Sequence, residues 1–391
     1  MSDYFPNEIL VEILHRQTLK SLVKCTTVCK SWNSLVTNPT FIFSHLNRTL
    51  NCNDNNANHL LLLRLCCKRV KDNLDRYIEL YSLRLDNEGL DLVSLLGFPL
   101  QKEICNLYSR VVGTCNGLVC LADDTQRYNL NFIVWNPSVR KYVKLPRPHM
   151  SYSTHGGYDD CIGFGFDSRT NDFKVVRVVN LLDQRVYGVG PPEVEVYSLA
   201  RGSWEFITAT APLCSIFPRA AQVFINGSTH WRVIRQGTDD NWDNFILSFN
   251  VADDVFQEIS LPECLAGINH WFFDDRNNVS VLTNGELLGV VYRNFLDSSF
   301  DVWMMKEYGV VESWTKVFAY IPLAYNPESP TVLAFRENLE VLVQVYGELR
   351  SIDARTGLFK DLRIGEDGDS FMGYYVERLF LLNKVKGVMS Y

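Results

Sequence analysis

Five adjacent acid pairs, Asp123-Asp124, Asp159-Asp160, Asp239-Asp240, Asp253-Asp254 and Asp274-Asp275, are the most conspicuous reactive groups in this 391-residue chain. Two carboxylates about 5–10 Å apart across a cleft could hydrolyse a glycosidic bond. Each pair, however, stands at a loop-like position, where Asp bonds its own backbone and tolerates turn geometry. The pairs are therefore expected to shape turns, or to line an acidic loop face that meets a basic partner. Seven histidines occur without HxH or HxxxH spacing, and none lies beside a cysteine pair at zinc-ligand separation, so no metal centre is expected. His230-Trp231 and His270-Trp271 repeat as a phrase and read as core and turn, although aromatics at such places also anchor partners. Gly163-Phe164-Gly165 lacks the third glycine and the strand-to-helix context of a dinucleotide loop. It reads as a strand pressed closely against a neighbour, and no cofactor is expected. The 11 cysteines include no CxxC pair and read as small buried hydrophobes of a reducing compartment.

The bulk numbers narrow the class further. A net charge of −7 argues against general nucleic-acid affinity, which depends on Lys and Arg displacing counterions from phosphate. Residues 1–50 carry five basic side chains (Arg16, Lys20, Lys24, Lys30, Arg48) against three acids (Asp3, Glu8, Glu12), a local +2 that leaves −9 for the rest. That asymmetry suits an acidic partner for the N-terminal segment. No run approaches the ~18 apolar residues of a membrane helix. Early acids stand where a secretory leader would carry lysines and an apolar run, so residence in the cytosol or nucleus is expected, with no membrane partner.

Residues 6–46 alone show helical spacing. Ile9, Leu10, Ile13 and Leu14 share one face of a helix entered through Pro6. Thr18 is a plausible cap for a second helix running through Leu19, Leu22, Val23, Val28, Cys29, Trp32, Leu35 and Val36. Asn38-Pro39 stops it, and Phe41, Phe43 and Leu46 predict a short third turn or helix. Forty residues are too few to cover this apolar surplus alone. It needs the rest of the chain or another protein.

From about residue 60 the period changes to alternation, with turns of Gly, Asn and Asp. One hairpin recurs: Phe132–Ser138 to Tyr142, Val194–Ser198 to Trp204, Ile246–Asn250 to Phe256, Asp301–Trp303 to Trp314, and Leu349–Ile352 to Phe359. The aromatics of the second strands lie 45 to 62 residues apart, close to the blade length of kelch-type propellers, about 50 residues. A further strand pair ahead of each hairpin gives four strands per repeat. A sixth repeat can be assembled from Leu60–Leu65, Tyr77–Leu85 and the C-terminal Val376–Leu382, closing the ring and removing sheet edges. The expected fold is mainly β, a helical N-terminus followed by a six-bladed β-propeller-like domain, with a bent β-sandwich as the competing architecture.

Both halves also resemble a known family. Phe5-Pro6-Asn7-Glu8-Ile9-Leu10, Ile13-Leu14, Leu19-Lys20-Ser21-Leu22 and Val28-Cys29-Lys30-Ser31-Trp32-Asn33-Ser34-Leu35 resemble the plant F-box almost position by position. Where that family usually has a second Leu-Pro, this chain has Gln17-Thr18. Gly113–Cys120, Trp135-Asn136-Pro137-Ser138-Val139-Arg140-Lys141, Gly163–Asp167, Asp172–Val176 and Val194–Ser198 resemble the type 1 F-box-associated domain. S-locus and immune-regulating F-box proteins are similar across the same stretch. The resemblance implies an F-box over 1–47, an associated propeller-like domain over 58–391, and the job of a non-catalytic substrate receptor in a Skp–cullin–F-box ubiquitin ligase. It assigns Pro6, Ile9, Leu10, Leu14, Leu22, Val28, Cys29, Trp32 and Leu35 to the surface that docks a Skp-family adaptor and, through it, a cullin, with a client protein held by the ring. The rival reading is a propeller enzyme or carbohydrate-binding module whose helical segment merely caps the ring.

Overall fold

Strands that alternate apolar and polar residues must cover their apolar faces, and here six sheets do so by packing side by side around an axis. The computed structural model describes residues 6–51, 60–71, 74–98, 109–124, 131–181, 191–208, 210–236, 242–266, 279–294, 296–322, 330–365 and 370–381. Five blades are each built from consecutive antiparallel strands. The remaining blade joins the two ends of the β region, in the order Ser370–Tyr375, Leu60–Lys71, Leu74–Leu85, Leu92–Leu96. Its register sets Leu60 opposite Tyr375 and Leu65 opposite Ser370. All five hairpins expected from the repeat are present as the third and fourth strands of their blades. The fourth blade carries one extra short strand, Ser215–Ile216.

The recurrent sequence phrases have local causes. In three hairpins the turn opens with a side-chain oxygen, of an Asn amide or an Asp carboxylate, that accepts two backbone N–H groups. Asn136 receives Ser138 and Val139 at 3.0 and 3.3 Å, Asn250 receives Ala252 and Asp253 at 2.9 Å each, and Asp353 receives Arg355 and Thr356 at 2.8 and 3.2 Å. Four residues after each opener the chain turns left-handed, at Arg140 (φ 55°), Asp254 (φ 53°) and Gly357 (φ 68°). The Asp253-Asp254 pair thus belongs to turn geometry, as its composition suggests. The second-strand tryptophans clip adjacent blades together: the Trp204 indole donates to the Pro146 carbonyl at 2.8 Å, and Trp314 to that of Ser260 at 3.0 Å. At Gly163 a β-carbon would sit 2.4 Å from Trp231 Cζ2, and at Gly165 2.5 Å from Phe224. Both glycines are therefore sites of close packing between blades, not of phosphate binding.

Two expectations are corrected. The closing strand is Ser370–Tyr375, not Val376–Leu382. Residues 376–381 leave the ladder and run over the second blade, because the Arg378 and Phe380 carbonyls accept hydrogen bonds from Asn136 Nδ2, each at 2.8 Å. The second helix is also two helices. The N-terminal head comprises α1 (Asn7–His15), α2 (Leu19–Cys25), α3 (Lys30–Val36) and α4 (Pro39–Asn51). After α2 the Thr26 and Thr27 hydroxyls bond back to the Val23 and Lys24 carbonyls at 2.7 and 2.8 Å. With Val28 they form a β-branched run that ends the helix. Thr18 caps α2 as expected, its hydroxyl accepting from the Ser21 N–H. Asn38 caps α4 through the Thr40 N–H at 2.8 Å.

Candidate functional site

The head is built outward from a shared core. Leu14, Leu19, Leu22, Val36, Phe41 and Ile42 enter one apolar cluster with Phe164, Phe173 and Leu379–Leu381 of the ring. Phe43 of α4 meets Phe380 edge-on, with ring centroids 5.7 Å apart. The α1–α4 pair is locked by stacking of His15 on Phe41 at 4.3 Å and by a 3.1 Å hydrogen bond between the His15 ring and the Ser44 hydroxyl. Arg48 of α4 grips both Glu12 oxygens of α1, at 2.8 and 3.0 Å, and Arg16 adds a third contact at 3.1 Å. Those bonds to Arg48 and Arg16 hold the Glu12 carboxyl well below the usual range, at about 2. Burial, reinforced by His15, Arg378 and Arg48, pushes the His45 imidazole down to about 4, so it is held neutral.

This packing sorts the nine residues assigned to the docking surface. Leu10, Leu14 and Leu22 are only 8%, 1% and 0% exposed. They lie in the interior of the head rather than on its exposed face. Trp32 and Leu35 are half-buried against the same core. Pro6, Ile9, Val28 and Cys29 are exposed, Ile9 at 47% and Val28 at 64%. Ile13, not assigned from the sequence, joins them at 44%. Its signal was present: it lies one turn after Ile9, so the two form a stripe beside the buried Leu10–Leu14 stripe. Val28 and Cys29 reach the surface because the α2–α3 break lifts them off the helix barrel.

Elsewhere the reactive groups serve the fold. Asp124 pairs with Arg110 at 2.6 Å, and Asp160 with Arg177 at 2.6 Å, whose other arm meets buried Glu195. Asp123 accepts from Asn131, and Asp253 pairs with Arg169. His230 is fully buried and bonds the Tyr308 hydroxyl at 2.7 Å, and the Trp231 indole donates to the Ile162 carbonyl. Asp239-Asp240, His270-Trp271 and Asp274-Asp275 lie outside the described residues. Among the described residues no group of three or more His, Cys, Asp or Glu could hold a metal ion, and no helix is long and apolar enough to cross a membrane. The innermost strands surround a central cavity of about 560 Å³ whose lining includes Gln222, Ser280, Thr331 and Ser370, with Arg219 and Arg293.

A four-helix head with an uncovered apolar stripe, packed on a closed six-bladed ring, defines the class of two-part proteins in which a small helical module carries a propeller. The F-box-associated beta propeller domain model matches residues 67–379, and the F-box-like model matches residues 3–49. F-box protein CPR1 of Arabidopsis thaliana is 31% identical over 383 residues, covering 91% of this chain and 84% of that protein. An F-box/kelch-repeat protein of the same plant is 27% identical over 371 residues, covering 90% and 89%. The chain belongs to the plant F-box proteins that carry an F-box-associated β-propeller. Among solved structures, SapL1 lectin in complex with alpha methyl fucoside aligns with 79% of this chain and 94% of its own at 10% identity and a TM-score of 0.44, which carries no argument about ligands.

Proposed function

We propose that this chain is the substrate-recognition subunit of a Skp–cullin–F-box ubiquitin ligase. The head docks a Skp-family adaptor, and through it a cullin, while the ring captures a client protein. The observation that carries this reading is the exposure of three large apolar side chains, Ile9, Ile13 and Val28, on a head whose Leu14, Leu19, Leu22, Val36, Phe41 and Ile42 are already packed. An exposed stripe of this kind on a small helical module marks a partner surface. The chain itself makes and breaks no bond in this scheme. Its contribution is proximity, because a tethered client meets the ubiquitin-loaded enzyme at a raised effective concentration. In this reading the chain works in the cytosol or nucleus. Affinity capture with the full chain should retain a Skp-type adaptor and a cullin, and a chain lacking residues 6–51 should lose both. Equal capture by the two would overturn the proposal.

A further inference from the structure

The C-terminal segment 376–381 touches both halves of the molecule at once. It continues directly from Ser370–Tyr375, the strand that closes the ring. Its path over the second blade is fixed by Asn136, which is fully buried and donates through one amide nitrogen to the Arg378 and Phe380 carbonyls. The Tyr375 and Ser138 hydroxyls add a 2.7 Å bond at its start. The segment then delivers Phe380, 7% exposed, into the seam. On the ring side Phe380 lies 4.8 Å from Phe173 and 6.1 Å from Phe166, and on the head side 5.7 Å from Phe43. Leu379 and Leu381 flank it in the same cluster as Leu14, Leu22 and Phe41. One aromatic side chain is therefore core to two modules.

Domains joined by a short linker move relative to one another unless a sizeable apolar interface prevents it. The geometry points to Phe380 and Asn136 as positioning residues that hold the head at one angle to the ring. This rests on the receptor reading above: with the adaptor on the head and the client on the ring, that angle sets the separation across which ubiquitin must pass. Both are buried, Asn136 at 0% and Phe380 at 7% exposure, so neither offers its side chain to adaptor or client. Phe380 supplies the joint, and Asn136 prevents the segment that carries it from peeling away, since losing its amide would leave two buried carbonyls unpaired.

The test places spectroscopic labels on unnatural amino acids at exposed Lys20 of the head and exposed Leu296 of the ring, so that native cysteines stay untouched. The distribution of label-to-label distance is measured in the full chain. The native protein should give one narrow population. Phe380→Ala should broaden it by roughly twofold or more, as expected of a domain freed to move on a linker, Asn136→Ala should do the same, and Phe380→Leu should stay close to native. Should Phe380→Ala fail to fold, Phe43→Ala decides, because it removes the contact from the head side and leaves the ring intact. An unchanged distribution in folded Phe43→Ala overturns the proposal. So does a fall in adaptor affinity in that variant, since positioning would then not be separable from docking. If the native chain binds no Skp-type adaptor, the receptor reading fails while the distance measurement still decides whether the joint is rigid.

Discussion

The sharpest consequence of the head's packing is that folding and docking separate by residue. Fully burying an aliphatic side chain is worth about 1.5–3 kcal/mol. Ile9, Ile13 and Val28 retain 47%, 44% and 64% of their exposure. Covering what remains would therefore contribute about 0.7–1.4, 0.7–1.3 and 1–1.9 kcal/mol respectively, together about 2.4–4.6 kcal/mol. At 1.4 kcal/mol per decade, a triple change to serine at these positions should weaken a Skp-type adaptor by about 50- to 2000-fold. The same variant should melt close to the native temperature, because exposed positions away from caps and cores move stability by about 0.5 kcal/mol or less each. Leu14→Ala should do the reverse. At 1% exposure it should cost about 2–5 kcal/mol of stability in the head and affect the adaptor only through unfolding. Titration calorimetry and thermal melting on the two variants read both quantities. If the triple variant binds as tightly as native, or if it binds weakly only because it has unfolded, the assignment of the stripe is refuted.

Two further outcomes follow from the same geometry. Three titrating groups at the α1–α4 seam favour unfolding in acid: His15 and His45 are both pushed down from 6.5, mainly by burial, His45 to about 4, and refuse a proton that the unfolded chain accepts, while Glu12, held near 2, loses its advantage as pH falls below 4.5. Melting of the head should therefore fall as pH drops from about 6.5 toward 4 and again below about 4.5, and His45→Gln should flatten the first slope; an unchanged profile would show that the burial of His45 is not what resists protonation. Gly163→Ala should lower stability by about 1–3 kcal/mol in denaturant melts, since its new carbon must displace the buried Trp231 ring; a neutral result would mean the two blades can part at no cost.

The blades were legible from the chain because their determinants are local. An Asn136- or Asn250-type residue folding onto its own turn acts within a few residues, and an aromatic such as Trp204 or Trp314 in the outer strand recurs at a readable spacing even though its indole bonds the neighbouring blade. The closing strand was not legible. Val376–Leu382 is the more apolar stretch, and only the amide of Asn136, some 240 residues earlier, takes its carbonyls away from a ladder. The exposed apolar face of the head was half legible. Periodicity placed Ile9, Leu10, Ile13 and Leu14 on one side of α1, yet which pair turns inward depends on where the ring lies, a distant contact that carries no local sign. The break after α2 was written in Thr26-Thr27-Val28, whose hydroxyls compete for carbonyls, but an unbroken apolar spacing across it concealed the signal.

Ring closure rests on Leu60 pairing with Tyr375, two residues at opposite ends of the β region. A ribosome releases Leu60 long before it has made its mate, so during synthesis the strand Leu60–Lys71 must wait with one edge bare. Such a bare edge is a template for other chains. Any premature stop that removes the final twenty or so codons would make that wait permanent, leaving a protein with every other blade spelled out but no means of shutting.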